Sequence, residues 1–94
     1  MKHQPKKVGI KYDKEKDRWD LLPFDALQGV VKVLMHGAKK YDDWNWQNVV
    51  SEDKGYERYF SACLRHLIAW KDGEIVDPES KLPHLAHAMC CLLF

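Results

Sequence analysis

Residues 56–94 carry most of the information about the fold; they read YERYFSACLRHLIAWKDGEIVDPESKLPHLAHAMCCLLF. In the first half of this stretch, apolar side chains recur every three or four residues, which is the spacing of one face of an α-helix. The pattern predicts a helix that ends near Lys71, because the breaker sequence DGE follows it and Gly73 suits a left-handed cap. The predicted buried seam of this helix is Tyr56, Phe60, Cys63, Leu67 and Trp70.

A further helix is predicted to open at Pro83, since proline suits the first turn of a helix. The polar residues His84 and His87 are three positions apart, so they lie on one face of that helix. The connection over residues 75–83 is short, and the two helices are therefore expected to be antiparallel neighbours. The expected core side of the last helix is Leu85, Met89 and Leu92.

Upstream, the sequence predicts one more long helix and an arm. Apolar residues at helical spacing predict a helix over about residues 23–40, and the turn formers of residues 42–55 predict that it does not continue. Residues 1–22 are polar and lack a sustained period, which predicts an extended arm that Trp19 and Leu22 pin to the core. No stretch alternates at period two for long enough to form a sheet.

The predicted fold class is therefore all-α: a small helical bundle of about three main helices with an extended N-terminal arm. The apolar run at the carboxyl end, residues 89–94, has no Gly, Asn or basic residue to close its last turn. We expect oligomerisation to complete this helix, or the chain to be cut short there.

Composition favours a single globular domain over residues 1–94. With 46% hydrophobic residues and a formal net charge of +1, the chain is unlike a disordered one or one that seeks duplex nucleic acid. Cys63, Cys90 and Cys91 lack CxxC spacing, so they are expected to be reduced thiols of a cytoplasmic protein. The amino end is basic but no apolar run follows it, so neither a signal peptide nor a membrane span is predicted.

A first candidate binding segment is HGAKKYDDWNW, residues 36–46. It combines cations for phosphate, an amide that donates and accepts, and indole rings on which a base can stack, and this mixture suits a nucleotide. The alternative is that the tryptophans plug a loop and the lysines are solvated, and composition alone favours this alternative. The candidate substrate-binding residues are Lys39, Lys40, Tyr41, Asn45 and Trp46.

A second candidate site lies within residues 65–87. Its polar members are Arg65, His66, Glu74, Asp77, Glu79, His84 and His87. Imidazole and carboxylate donors together suit Mn, Fe, Ni or Zn, and carboxylate with water suits Mg. The alternative is that the histidines are edge residues of packed helices, bonded to main-chain carbonyls, and HxxH spacing does not choose between the two.

Five motifs in order give the sequence a family likeness. They are KYDKEKDRWDLLP (11–23), GAKKYDDWNW (37–46), RYFSACLRHLIAW (58–70), GEIVDPES (73–80) and LPHLAHA (82–88). The ordered set resembles the phage and bacterial family described as dATP/dGTP diphosphohydrolases, which is related to the all-α nucleotide pyrophosphohydrolases of the MazG type. The resemblance covers about residues 11–94. It implies metal-assisted hydrolysis of a purine deoxynucleoside triphosphate to monophosphate and pyrophosphate, in a helical homo-oligomer whose sites lie between helices.

One departure from the MazG pattern bears on the metal. Those enzymes generally hold Mg or Mn with an ExxE on one helix and an ExxD on the next, whereas His84 and His87 stand here where the second motif would have Glu and Asp. We therefore expect a divalent metal, Mg or Mn with Fe, Ni or Zn as alternatives, to be held by His66, Asp77, His84 and His87. The alternative is that these side chains are structural and that Asp25 and other carboxylates do the work.

The remaining roles follow from the chemistry of triphosphate hydrolysis, which needs an oriented water and cations on the phosphates. Glu74 or Glu79 is expected to be the base. Arg65 is expected to bind phosphate with Lys39 and Lys40, while Trp46 stacks on the purine and Asn45 reads the base edge or the sugar. Two other functions stay open: a non-catalytic helical module that binds a nucleotide or a partner, and a phosphohydrolase of the HD type.

Overall fold

The computed structural model describes residues 8–94. The start of the predicted arm, and the segment on which the expectation of no signal peptide rests, lie outside the described residues. The elements in order are a 3₁₀ turn (Trp19–Leu21), α1 (Phe24–Lys40), α2 (Asn45–Val50), α3 (Gly55–Lys71) and α4 (His84–Leu93). The described residues contain no strand, so the all-α prediction is confirmed, and the three main helices begin and end close to the predicted positions.

Helix α4 is the centre of the fold, because it packs against both α1 and α3. The core between α1 and α4 consists of Val30, Val33, Ala86 and Cys90. The Cys90 thiol donates to the Val30 carbonyl oxygen at 3.5 Å, and burial raises the pKa of this thiol to about 11. Small side chains at the contact let the helix backbones approach each other closely.

The predicted buried faces of α3 and α4 are wrong in part. Of the seam predicted for α3, Cys63 is buried, whereas Tyr56 and Phe60 are each 66% exposed. Helix α4 buries its small residues, and its predicted core side, Leu85, Met89 and Leu92, is exposed. Apolar residues line more than one face of these helices, and the close contacts use alanine and cysteine in place of the larger side chains.

Two further expectations are corrected upstream of α3. Trp19 is 70% exposed and Leu22 is 37% exposed, so these residues do not pin the arm to the described core. The turn-rich segment over residues 42–55 contains the short helix α2, which the sequence did not predict.

Helix α2 is held by a close approach to the start of α3. A Cβ atom at Gly55 would lie 1.9 Å from the Val49 carbonyl oxygen, so only glycine fits there. At its other side, α2 places the Trp46 ring parallel to Phe94, with 4.9 Å between ring centroids and 5° between planes. These tertiary contacts explain why a segment rich in turn formers is helical.

In the part of the chain that the structure describes, no helix combines the length and the apolar character needed to cross a bilayer.

Candidate functional site

A cluster of three histidines lies where α3 meets the start of α4. Nδ1 of His66, on α3, is 2.8 Å from Nδ1 of His84, the first residue of α4. The ring of His87, one turn further along α4, stacks on the His66 ring with 4.4 Å between centroids and 7° between planes. The imidazoles of the two helices thus converge as the short connection led us to expect.

His84 is buried and has a partner on each ring nitrogen. Its Nε2 is 2.6 Å from Oε1 of Glu74, whose side chain is about half exposed. Because a carboxylate accepts and does not donate, His84 donates its Nε2–H to Glu74. A neutral imidazole that donates through Nε2 keeps a lone pair on Nδ1, and this lone pair faces His66.

The loop between α3 and α4 is closed by its own backbone. The Asp77 N–H donates to the Leu82 carbonyl at 2.8 Å, and the Lys81 N–H donates to the Asp77 carbonyl at 2.8 Å. Lys81 has a φ of 64°, in the left-handed region, which a tight turn requires. The loop therefore presents Asp77 at a fixed position beside the histidines.

Within this loop, Ser80 connects Asp77 to His87. The backbone N–H and the hydroxyl of Ser80 both donate to Oδ2 of Asp77, at 2.9 and 2.8 Å. The Ser80 hydroxyl oxygen is also 2.7 Å from Nε2 of His87. His87 therefore bonds to Ser80, and its Nε2 is 3.7 Å from Oδ2 of Asp77.

Three of the four predicted metal ligands form one donor set. His66, Asp77 and His84 each offer a nitrogen or oxygen atom, and these atoms all lie within 4.8 Å of one another. Nitrogen and oxygen ligands sit about 2.0–2.2 Å from an ion such as Zn²⁺, so ligands of one ion are roughly 3–4 Å apart. The donor set fits a divalent cation in number and chemistry. His87, the fourth predicted ligand, lies outside this group.

The surroundings of His66 and His87 favour neutral imidazoles beside an ionised Asp77. Burial lowers the pKa of His66, and the neighbouring His84 acts in the same direction. Burial also lowers the pKa of His87. Burial alone would raise the pKa of Asp77, but the two hydrogen bonds from Ser80 and the nearby imidazoles outweigh it, and the pKa is lowered. These are the protonation states that cation binding requires.

The histidine cluster opens onto a cleft of about 690 Å³. His66, His87 and Asp77 belong to its lining, and so does the aromatic segment over residues 41–46. Predicted substrate-binding residues in the lining are Lys40, Tyr41, Asn45, Trp46 and Arg65. Lys39 is exposed and does not belong to the lining, and neither does Asp25, the alternative carboxylate.

The two predicted base residues are differently placed. Glu79 lines the cleft and accepts a hydrogen bond from Nζ of Lys40 at 2.7 Å, which joins the α3–α4 loop to the end of α1. This pair lowers the pKa of Glu79. Glu74 is bonded to His84 and does not line the cleft.

Two polar residues of the site escaped sequence reasoning. Ser80 follows Asp77 by three positions, the spacing at which an aspartate accepts a backbone N–H in a turn, so DPES carried a usable signal. His36 lines the cleft and meets the His87 ring edge-on at 6.4 Å. Its position on α1 gave no signal, because its contact with α4 depends on tertiary packing.

The fold and the site together define a small all-α domain with a histidine and carboxylate donor set beside an aromatic cleft. The chain belongs to the dATP/dGTP diphosphohydrolase family: the family model described as "dATP/dGTP diphosphohydrolase, N-terminal" matches residues 6–94.

A curated relative gives the same assignment. The chain is 34% identical over 87 residues to a "dATP/dGTP diphosphohydrolase" of Salmonella phage PMBT28. The match covers 93% of this chain and 28% of the phage protein, so the chain spans less than a third of the length of that relative. No solved structure matches the chain.

Proposed function

We propose that this domain hydrolyses dATP or dGTP to the monophosphate and pyrophosphate with the help of a divalent cation, in the cytoplasm of a bacterium or of a phage-infected host. The observation that carries the proposal is the juxtaposition of a cation donor set and an aromatic cleft with cationic residues. Membership of the family and the name of the phage relative point to the same substrates.

The cation would be held by His66, Asp77 and His84, with His87 beside them. When bound, it would supply positive charge for the phosphate oxygens and a water of lowered pKa. The Glu74 contact supports this assignment, because ligating histidines commonly donate their other N–H to a carboxylate. Mg²⁺ and Mn²⁺ are the cations to test first, followed by Fe²⁺, Ni²⁺ and Zn²⁺.

The triphosphate would lie along the cationic part of the cleft. Arg65 offers a planar fork for two phosphate oxygens, and Lys40, which also belongs to the lining, provides a point charge. Lys39 would reach the phosphates from the exposed end of α1.

The purine would occupy the aromatic part of the cleft. One face of Trp46 is covered by Phe94, so the base would stack on the other face. The Trp44 ring, tilted by 48° with its centroid 6.0 Å away, lies nearby. Asn45 would read the base edge or the sugar through its amide, with Tyr41 beside it.

In the proposed reaction, water attacks the α-phosphorus, the bond from this phosphorus to the α–β bridging oxygen breaks, and pyrophosphate leaves. Glu79 is the better placed base, because it lines the cleft and its carboxylate accepts a proton once Lys40 turns to the phosphates. Glu74 is the second candidate.

The test is to incubate the purified chain with dATP or dGTP, with and without Mg²⁺ or Mn²⁺, and to separate the products by ion-exchange chromatography. We expect monophosphate and pyrophosphate with a cation and intact substrate without one. Asp77→Asn and His84→Ala should abolish turnover while the chain stays helical, and Asp53→Asn, an exposed carboxylate away from the cleft, is the matched control.

Other products would identify another function. Binding of dATP without turnover would support a non-catalytic module. Release of inorganic phosphate or of inorganic triphosphate, in place of pyrophosphate, would support an HD-type phosphohydrolase. Full turnover in Asp77→Asn with loss in Asp25→Asn would overturn the histidine and carboxylate site in favour of the alternative carboxylates.

We also propose that the domain self-associates. Large apolar side chains are exposed on the faces of α3 and α4 that are turned away from the described core, among them Tyr56, Phe60 and Leu92. Exposed apolar side chains in this number are what a self-association surface would bury. Light scattering coupled to size-exclusion chromatography should give a mass above that of one chain, and Phe60→Glu should lower it; a monomeric wild-type chain would refute this part.

A further inference from the structure

Ser80 forms four polar contacts at the centre of the candidate site. Its N–H and its hydroxyl contact Oδ2 of Asp77, its oxygen lies 2.7 Å from Nε2 of His87, and the Leu82 N–H donates to the same oxygen at 3.2 Å. A hydroxyl group has one proton to donate and two lone pairs to accept. The positions of the protons can therefore be assigned.

The carboxylate fixes the direction of the whole chain of hydrogen bonds. An ionised Asp77 accepts only, so the Ser80 hydroxyl donates its single proton to Oδ2. The hydroxyl oxygen must then accept from His87, which carries its proton on Nε2. In the described part of the chain the Asp77 side-chain hydrogen bonds all fall on Oδ2, and Oδ1 accepts none.

The short Ser80–His87 contact does not pair a serine nucleophile with a histidine base. The hydroxyl proton is committed to Asp77, and both lone pairs are occupied by the N–H groups of Leu82 and His87. No lone pair remains for attack on a phosphorus atom, so the hydroxyl acts through its neighbours.

We propose that Ser80 is a positioning residue that orients the Asp77 carboxylate toward the cation and holds His87 as the Nε2–H tautomer. The cation part of this proposal rests on the proposed function, whereas the His87 part does not. The backbone of the loop is closed independently by Asp77, Leu82 and Lys81, so loss of the hydroxyl should leave the turn in place.

The test uses the full chain with ¹⁵N-labelled histidine, and Ser80→Ala as the main variant. A hydrogen-bonded imidazole N–H exchanges slowly enough to give an NMR signal, and His87→Gln identifies the signal of His87. We expect Ser80→Ala to lose that signal and Ser80→Thr, which keeps the hydroxyl, to restore it. Ser61→Ala, an exposed serine of α3, is the matched control and should change nothing.

The second readout is Mn²⁺ affinity, measured from the electron paramagnetic resonance of the free ion. We expect Ser80→Ala to bind Mn²⁺ about tenfold more weakly, the lower end of the effect of losing a hydrogen bond to a ligand, and Ser80→Thr to recover the affinity. If circular dichroism shows that Ser80→Ala is unfolded, Ser80→Cys, with similar size and a much weaker donor and acceptor, replaces it.

An unchanged His87 signal in Ser80→Ala overturns the proposal. Loss of the signal with unchanged Mn²⁺ affinity overturns the role assigned toward Asp77. If the wild-type chain binds no Mn²⁺ but Ser80→Ala still loses the His87 signal, the cation site of the proposed function fails while the role of Ser80 toward His87 stands.

Discussion

Gly55→Ala is the substitution with the most direct structural consequence in this chain. The added Cβ would lie 1.9 Å from the Val49 carbonyl oxygen and 2.8 Å from Cα of Val50. To bring this Cβ–oxygen distance to an ordinary van der Waals contact, the two helices would have to move apart by roughly 1.5 Å. The obstructing atoms belong to the backbone, which cannot rotate aside as a side chain would. Overpacking of this kind costs about 3 kcal/mol at the upper end, and alanine returns up to ~1 kcal/mol through its helix propensity.

The net loss of about 2 kcal/mol should lower the melting temperature by roughly 8–16 °C for a domain of this size. Thermal unfolding followed by far-ultraviolet circular dichroism measures it. Gly37→Ala is the matched control, since a Cβ at Gly37 meets nothing within 4 Å inside α1, and this variant should be stabilised by up to ~1 kcal/mol.

The same substitution should be visible in the cleft. Because α2 carries Trp46 against Phe94, displacement of α2 should change the tryptophan fluorescence of the folded chain. If Gly55→Ala melts at the wild-type temperature while Gly37→Ala is stabilised, α2 does not lie against α3 as described, and the aromatic part of the site must be built differently.

Three more outcomes are expected. Burial lowers the pKa of His66 and His87, so the unfolded chain takes up protons before the folded chain does as the pH falls through about 6.5, and the folded state should lose stability from about that pH downward. The urea concentration at the unfolding midpoint should therefore be lower at pH 5.5 than at pH 8. A midpoint that does not change with pH would contradict the buried histidine cluster. Trp46→Ala should weaken dATP binding by about 1–3 kcal/mol in calorimetry, with Trp70→Ala, outside the cleft, unchanged; equal losses would argue against stacking. Lys40→Gln should raise KM for the triphosphate and leave stability nearly unchanged, because the ion pair of Lys40 with the loop is exposed to solvent. An unchanged KM would remove Lys40 from the phosphate site.

The limits of the main helices could be predicted because their signals are local. Pro23 and Pro83 lie directly before α1 and α4, and the DGE breaker lies at the end of α3. Helix α2 gives no such signal. It has six residues among turn formers, and it depends on the absence of a side chain at Gly55, whose consequence is visible only once α2 and α3 are placed together.

The buried faces could not be predicted because hydrophobicity alone does not distinguish the faces of α3 and α4. The sequence pattern predicted leucine, methionine and phenylalanine to be buried, yet the close contact with α1 is made by Ala86 and Cys90. Size at the contact decided the outcome, and a periodic pattern contains no information about which neighbour each face meets.

The grouping of the candidate donors could be predicted better than the core, because ligand chemistry restricts the residue types. His66, Asp77 and His84 stood out as donors on two helices and a short loop, and they form one group in space. Ser80 did not stand out, since serine is common in loops for reasons of turn geometry. The role proposed for it depends on a hydroxyl placed between a carboxylate and an imidazole, an arrangement that is visible only in the folded structure.

The exchange of acidic for histidine donors has a consequence for the proposed reaction. Two neutral imidazoles and one carboxylate give the donor set a charge of about −1, against about −4 for four carboxylates. A bound divalent cation would keep more of its charge for the phosphate oxygens, and imidazole donors favour Mn²⁺, Fe²⁺ or Zn²⁺ over Mg²⁺. We therefore expect Mn²⁺ to support turnover at a lower concentration than Mg²⁺ does. Equal activation by the two ions in a metal titration would indicate that carboxylates outside this donor set hold the cation.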